Sequence, residues 1–221
     1  MTFLELAQML RQECVVSGTG PASVDNQQGI EKRLVDWVNR AWMEIQRKHR
    51  DWSFMAADFD FECIPGVSEY SATVIGLSGG VSWWDMASMT VRLTEADESP
   101  LSVMDWAAYR QNIIGTQSSG RPTHVTMSPS MALVLWPSPD QEYRVRGQYY
   151  RAPSLMTKNA DRPSIPRQYC EAIVYLAMQY YGRQESAPEI YADGLARYKE
   201  IMNRMEMDLL PFDMNLGEPL I

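Results

Sequence analysis

The sequence predicts an α+β protein in which a four-helix bundle, formed by both chain ends, carries an inserted antiparallel β-rich domain. Three observations point there. Apolar residues recur at helical spacing before residue 50 and again after residue 163. Between residues 51 and 162 the apolar period drops to two. The 221 residues, 45% hydrophobic and 22% charged, are enough to bury a sizeable core. The expected parts are a discontinuous helical bundle of residues 1–50 and 163–210, an inserted domain of residues 51–162 with one short helix, and a C-terminal arm of residues 211–221.

Thr2-Phe3-Leu4-Glu5 fits a capping box, and Phe3, Leu6, Ala7 and Leu10 place a first helix over residues 3–16. Ser17-Gly18-Thr19-Gly20-Pro21 stops it. Ile30, Leu34, Trp37, Val38, Ala41, Trp42 and Ile45 draw one apolar stripe along a second helix, with Lys32, Asp36, Arg40 and Glu44 on its back. Trp37 and Trp42 are expected to be mostly buried against the helices of the chain's second half, a burial worth on the order of 3 kcal/mol each.

Phe59, Phe61 and Cys63 alternate with Asp58, Asp60 and Glu62, the pattern of a half-buried strand. Further strands are expected at Tyr70 to Ile75, Met89 to Leu93, Thr123 to Met127, Met131 to Trp136 and Tyr143 to Arg151, interrupted by a short helix over Ser102 to Ile114. "LVLWPSPDQEYRVRGQYYRAP" reads as a hairpin around a rigid Pro137-Ser138-Pro139-Asp140 turn. Pro166 suits the first position of a third long helix, whose stripe of Tyr169, Ala172, Ile173, Leu176, Ala177 and Tyr180 ends at Gly182. Ser186-Ala187-Pro188-Glu189 supplies a second capping box, opening a helix with Tyr191, Leu195, Tyr198, Met202, Met205 and Leu209 on its apolar face.

Charge narrows the function. Twenty basic against 28 acidic side chains give a net −8, which argues against a protein that grips phosphates on its own. No window approaches the roughly 18 apolar residues of a membrane span, and the acidic, amphipathic start does not read as a signal peptide, so a cytoplasmic chain with no membrane partner is expected. Cys14, Cys63 and Cys170 are three and far apart, which suits buried small residues better than a disulfide or zinc framework. His49 and His124 lie in no nucleophile or metal-ligand motif. Glu95, Asp97 and Glu98 lack calcium-loop spacing, and Gly18-Thr19-Gly20 follows a helix and lacks the phosphate-loop lysine. No catalytic residue, cofactor or metal is therefore expected. Asp58, Asp60 and Glu62, roughly 7 Å apart along one strand face, keep a glycan hydrolase open as an alternative beside a solvated strand face.

The tail "LLPFDMNLGEPLI" is different. Pro211 ends the last helix, yet Leu209, Leu210, Phe212, Met214, Leu216, Leu220 and Ile221 give the segment more apolar surface than a solvated tail exposes. It is expected either to fold back on its own subunit or to order on a partner.

The stretches "MTFLELAQMLRQE", "SGTGP", "RLVDWVNRAWMEIQRKHRDW", "LVLWPSPDQEYRVRGQYYRAP" and "IPRQYCEAIVYLAMQYYGRQE", in that order over nearly the whole chain, resemble the head-to-tail adaptor (connector) proteins of tailed bacteriophages, especially those of short-tailed phages. The resemblance implies a structural virion protein of the neck or tail, assembled in the host cytoplasm. It implies a ring of twelve copies beneath the portal, a tail (nozzle or tail-tube) protein docked below, and DNA passing through without sequence-specific binding. It also implies that the residues Leu209 to Ile221 named above contact the portal or a neighbouring subunit. A non-enzymatic protein-binding module is the competing reading.

Overall fold

The computed structural model describes residues 1–114 and 118–211. In chain order the elements are α1 (Phe3–Glu13), α2 (Gly29–Lys48), β1 (Ala56–Glu62), β2 (Glu69–Tyr70), α3 (Ala72–Ile75), β3 (Val81–Arg92), β4 (Ser99–Pro100) and β5 (Ser102–Val103). They continue with α4 (Trp106–Asn112), β6 (His124–Met127), β7 (Leu133–Trp136), β8 (Arg144–Arg151), α5 (Glu171–Gln184) and α6 (Pro188–Leu209). The chain is thus mixed α+β and separates into two compact units, Met1–Met55 with the chain from Pro153 onward, and Ala56–Ala152.

The helical unit begins with the expected capping box: the Thr2 amide donates to Glu5 at 2.8 Å and the Glu5 amide to the Thr2 hydroxyl at 3.2 Å. α1 ends at Glu13, earlier than the apolar spacing suggests. Val15 adopts φ 53°, and the Arg11 guanidinium donates to the carbonyls of Val16, at 2.6 Å, and Gly18, so the following loop wraps this side chain. α2 buries Leu34, Val38, Ala41, Trp42 and Ile45 as the stripe predicts. Trp42 is 2% exposed, and its aromatic neighbour Phe54 stacks on fully buried Trp52, which donates to the Ile45 carbonyl at 2.8 Å. Trp37, at intermediate exposure, packs edge-on against Tyr181 of the chain's second half, as expected, with Arg33 over its ring.

The chain returns to the helical unit as an extended segment that α2 holds by two side-chain amides. Asn39 donates to the Met156 carbonyl at 2.8 Å and accepts from the Met156 amide at 3.0 Å. Gln46, buried, does the same with Ser154, 3.0 Å in each direction. The Phe3 amide adds a bond to the Asp161 carbonyl at 2.8 Å, and Asn159 accepts from the Val24 amide at 2.7 Å.

α5 then packs on α1, α2 and α6. Pro166 precedes a single 3₁₀ turn, Arg167–Tyr169, and α5 starts only at Glu171. Gly182 does not end this helix but sits buried inside it. A Cβ there would lie 2.7 Å from Tyr191 Cβ and 2.9 Å from the Ala187 carbonyl, and one at Gly194 would lie 2.9 Å from Met178 Cβ and from the Tyr175 carbonyl. The two glycines let α5 and α6 approach backbone to backbone. The second capping box does not form, because Ser186 takes φ 54° and Ala187 caps α6 without a side-chain bond, leaving Pro188 to start the helix.

The inserted unit consists of two four-stranded sheets, ordered β1-β8-β3-β4 and β2-β7-β6-β5. All pairs are antiparallel except β5 with β6. One core joins Phe59, Phe61, Trp84, Met89 and Val145 of the first sheet to Tyr70, Val125, Leu133 and Leu135 of the second. The expected strand at Tyr70 to Ile75 breaks at Ser71, whose hydroxyl caps α3. The expected hairpin at Leu133 to Arg151 is also corrected: β7 and β8 belong to different sheets, and the Pro137–Asp140 turn crosses between them. Both sheets need an inward apolar face from this stretch, which a single hairpin could not supply. β3 starts earlier than expected and carries three extra residues between Asp85 and Thr90 opposite Gln148–Arg146, where Gly147 makes room for Met89, its absent Cβ falling 2.8 Å from Met89 Cγ.

Replacing Asn39 by leucine strands the amide and carbonyl of buried Met156, and replacing Gln46 by leucine strands those of Ser154. Urea unfolding should show each variant less stable by about 2 kcal/mol, with Gln46→Glu intermediate because it keeps the acceptor and loses the donor. Gly182→Ala and Gly194→Ala should lower the melting temperature in differential scanning calorimetry, since about 1–3 kcal/mol of overpacking against immobile backbone exceeds the gain of about 1 kcal/mol in helix propensity.

Candidate assembly surface

The sequence places its candidate contact residues at the end of α6. Leu209 closes the helix half-buried, and half-buried Leu210 leaves it with extended backbone (ψ 147°) while its amide still donates to the Glu206 carbonyl at 3.3 Å. Phe212, Met214, Leu216, Leu220 and Ile221 lie outside the described residues. Exposed Pro211 follows, and Met207, 71% exposed, points away from the unit one turn earlier.

This helix end is tied down by groups far apart in sequence. Lys48 Nζ lies 2.9 Å and His49 Nε2 3.0 Å from the same Glu206 carboxylate oxygen, and the Tyr169 hydroxyl donates to Asp208. Partial burial pushes the Glu206 carboxyl up. The bonds from His49 and Lys48 outweigh that effect and hold it below the usual carboxylate range. Sequence reasoning missed this latch, because nothing in the local pattern joins Glu206 to residues 157 and 158 positions away. It places the root of the arm on the end of α2 and on the turn before α5.

A groove of about 590 Å³ runs along α5 and α6, lined by Tyr169, Glu171, Tyr175, Arg197, Arg204 and Asp208 among others. Its polar groups answer one another: Tyr175 donates to Glu171 at 2.7 Å, Arg204 meets Glu200 at 2.6 Å, and Arg197 pairs with Asp193 at 3.0 Å and Glu13 at 3.3 Å. Burial, and then the bond to Glu171, pushes the Tyr175 hydroxyl up, so it stays a neutral donor.

Of the strand carboxylates Asp58, Asp60 and Glu62, only Asp60 is ion-paired among the described residues, and Glu98 is paired as well. Asp60 meets Arg144 at 2.9 Å and Arg92 at 3.8 Å, while Arg146 clasps Glu98 through two bonds of 2.5 and 2.6 Å. A carboxylate set among guanidiniums lacks the apolar surroundings that make a carboxyl a general acid. His124 packs edge-on against Trp136 at 5.5 Å and bonds the Thr123 hydroxyl at 2.9 Å. Burial raises the thiols of Cys14 to about 12 and Cys63 to about 11, which removes them as nucleophiles at neutral pH. Among the described residues no cluster of His, Cys, Asp or Glu could hold a metal, and no helix is long and apolar enough to cross a membrane.

What the geometry offers is surface: fastened helix ends and charged sheet faces. Residues 1–213 match the family model described as SU10 adaptor protein. The chain belongs to this family of phage head-to-tail adaptors. No curated protein matches it. The match runs from α1 past the end of α6 and so takes in both units of the adaptor, including the Glu206 latch and Leu209 and Leu210. The adaptor is a phage structural protein, a component of the virion.

The latch gives the adaptor a pH dependence of defined sign. The folded Glu206 carboxyl lies below its ordinary value of 4.5, so its contribution is present above pH 4.5 and is lost as pH falls through the folded value. Glu206→Gln should melt below the wild type at pH 7, and the difference should close as thermal scans move to more acidic buffer.

Proposed function

We propose that the adaptor assembles as a homo-oligomeric ring, a dodecamer, in the virion neck between the portal and the tail, and that DNA passes through it during ejection. The family match over residues 1–213 carries this reading. In it, α1, α2, α5 and α6 act as one four-helix bundle toward the portal, and the inserted β unit forms the rest of the ring wall, with the tail (nozzle or tail-tube) protein docked below. The arm of residues 211–221, rooted at Leu209 and Leu210, orders on the portal or on a neighbouring subunit through Phe212, Met214, Leu216, Leu220 and Ile221, trading chain entropy for apolar burial. Assembly takes place in the host cytoplasm.

Charge supports the channel role. Twelve copies at −8 each carry a formal −96, and acidic walls repel phosphates so that a duplex slides without being held. The basic side chains are largely engaged within the fold, as in the Arg144, Arg146, Arg197 and Arg204 pairs.

Electron microscopy of the chain mixed with its portal should show a portal ring capped by a second ring. A portal that stays bare under saturating adaptor overturns the reading. A chain truncated after Asp208 keeps Glu206 and Asp208 and should therefore retain its melting point while failing to join the portal ring. Filter binding with duplex DNA should detect no tight, salt-sensitive complex.

A further inference from the structure

β1 stands at the edge of its sheet. It pairs with β8 over all seven residues, Ala56 to Glu62, and among the described residues no other strand pairs with it. The remaining sheet edges are two-residue strands, and one of them, β4, carries Pro100, which has no amide hydrogen to offer. The direction of the open groups follows from register. The Cys63 amide donates to the Tyr143 carbonyl at 2.7 Å, continuing the ladder of odd-numbered residues. By the two-residue alternation of an antiparallel pair, the amides and carbonyls of Ala56, Asp58, Asp60 and Glu62 point away from β8.

Those same even-numbered residues carry the side chains of the solvent face, where Asp58, Asp60 and Glu62 are exposed and Phe59 and Phe61 turn inward. Asp60 is neutralised by Arg144 and Arg92, whereas Asp58 and Glu62 make no ion pair among the described residues. They stand roughly 13 Å apart along the strand. A groove of about 650 Å³ runs from Asp58 and Asp60 inward over the same sheet, where Ser88 and Thr90 of β3 and Arg146 and Gln148 of β8 line it.

We propose that the free edge of β1 takes up an extended segment of a partner protein as an added strand, and that this segment carries Lys or Arg at alternate positions. Open backbone groups supply the ladder, and Asp58 and Glu62 select the charge. A second β1 would set its own acids against these, and the adaptor's C-terminal segment brings Asp213 and Glu218, so neither complements the edge. The inference concerns a surface separate from the arm and does not require the ring.

The test uses ¹⁵N-labelled full-length adaptor and a seven-residue blocked peptide, Thr-Lys-Val-Lys-Val-Lys-Thr, matched to the seven residues of β1. Added antiparallel to β1, the strand sets its lysines on the acidic face, and their backbone amides are the ones that meet β1. Amide signals of Ala56, Asp58, Asp60 and Glu62 should shift on titration. Replacing the lysines by glutamates, or N-methylating the lysines, should weaken binding at least about tenfold, while N-methylating the valines should change little. Asp58→Lys/Glu62→Lys should reverse the preference and take the glutamate peptide. Should that variant not fold, the N-methyl series on the unaltered protein decides alone. Equal binding of the lysine and glutamate peptides, indifference to N-methyl lysine, or no shift at β1 overturns the proposal and leaves the acids as a guard against edge aggregation. Any of these results leaves ring assembly with the portal standing as a separate question.

Discussion

Two side-chain amides of α2 hold the chain where it returns to the helical unit. The helical unit is interrupted by the whole inserted β unit, so the returning segment must find its place without help from a neighbouring strand. Asn39 and Gln46 offer what a strand would: a donor and an acceptor in fixed geometry, each satisfying one residue's amide and carbonyl. A buried backbone group left unpaired costs more than a good bond gains, so the segment has one low-energy position.

α5 is the element through which the other long helices communicate. It packs on α1 and α2 by ordinary apolar burial, and on α6 by the removal of two side chains at Gly182 and Gly194. Close backbone approach makes α6 a stiff extension of α5. The latch of Lys48, His49 and Tyr169 on Glu206 and Asp208 then fastens its far end to the same unit. The end of α6 is therefore held to the core of the helical unit.

The inserted unit meets a different requirement. Its two sheets share one apolar core, and the outward face of the β1-β8-β3-β4 sheet carries arginines paired with carboxylates. Each pair is solvated and contributes little to stability. Their value lies in specifying which surfaces can meet, by matching charge in one arrangement and opposing it in others. An assembly protein acts through such surfaces, and a deep polar pocket is not required for it.

Much of the fold was legible in the sequence because it depends on local periodicity. The stripe from Ile30 to Ile45, the capping box at Thr2 and the alternation around Phe59 each report a face that must be buried, whatever buries it. The predicted strand at residues 70–75, the hairpin at residues 133–151 and the end of the third long helix at Gly182 failed for one reason: local pattern reports that a residue faces inward, and says nothing of which element it faces. Gly182 looks the same as a helix stop and as a helix-packing site until Tyr191 is brought against it. The arm was visible as apolar residues after Pro211, but its fastening was not, since Glu206 meets Lys48 and His49 only once the ends of α2 and α6 are side by side. By itself the sequence determined the helices, most of the strands, the acidic balance and the membership of an adaptor family. Tertiary structure alone decided the sheet order, the split of β7 and β8, the amide clamps and the latch, because these are pairings between distant segments, and a pairing has no signature in either segment taken alone.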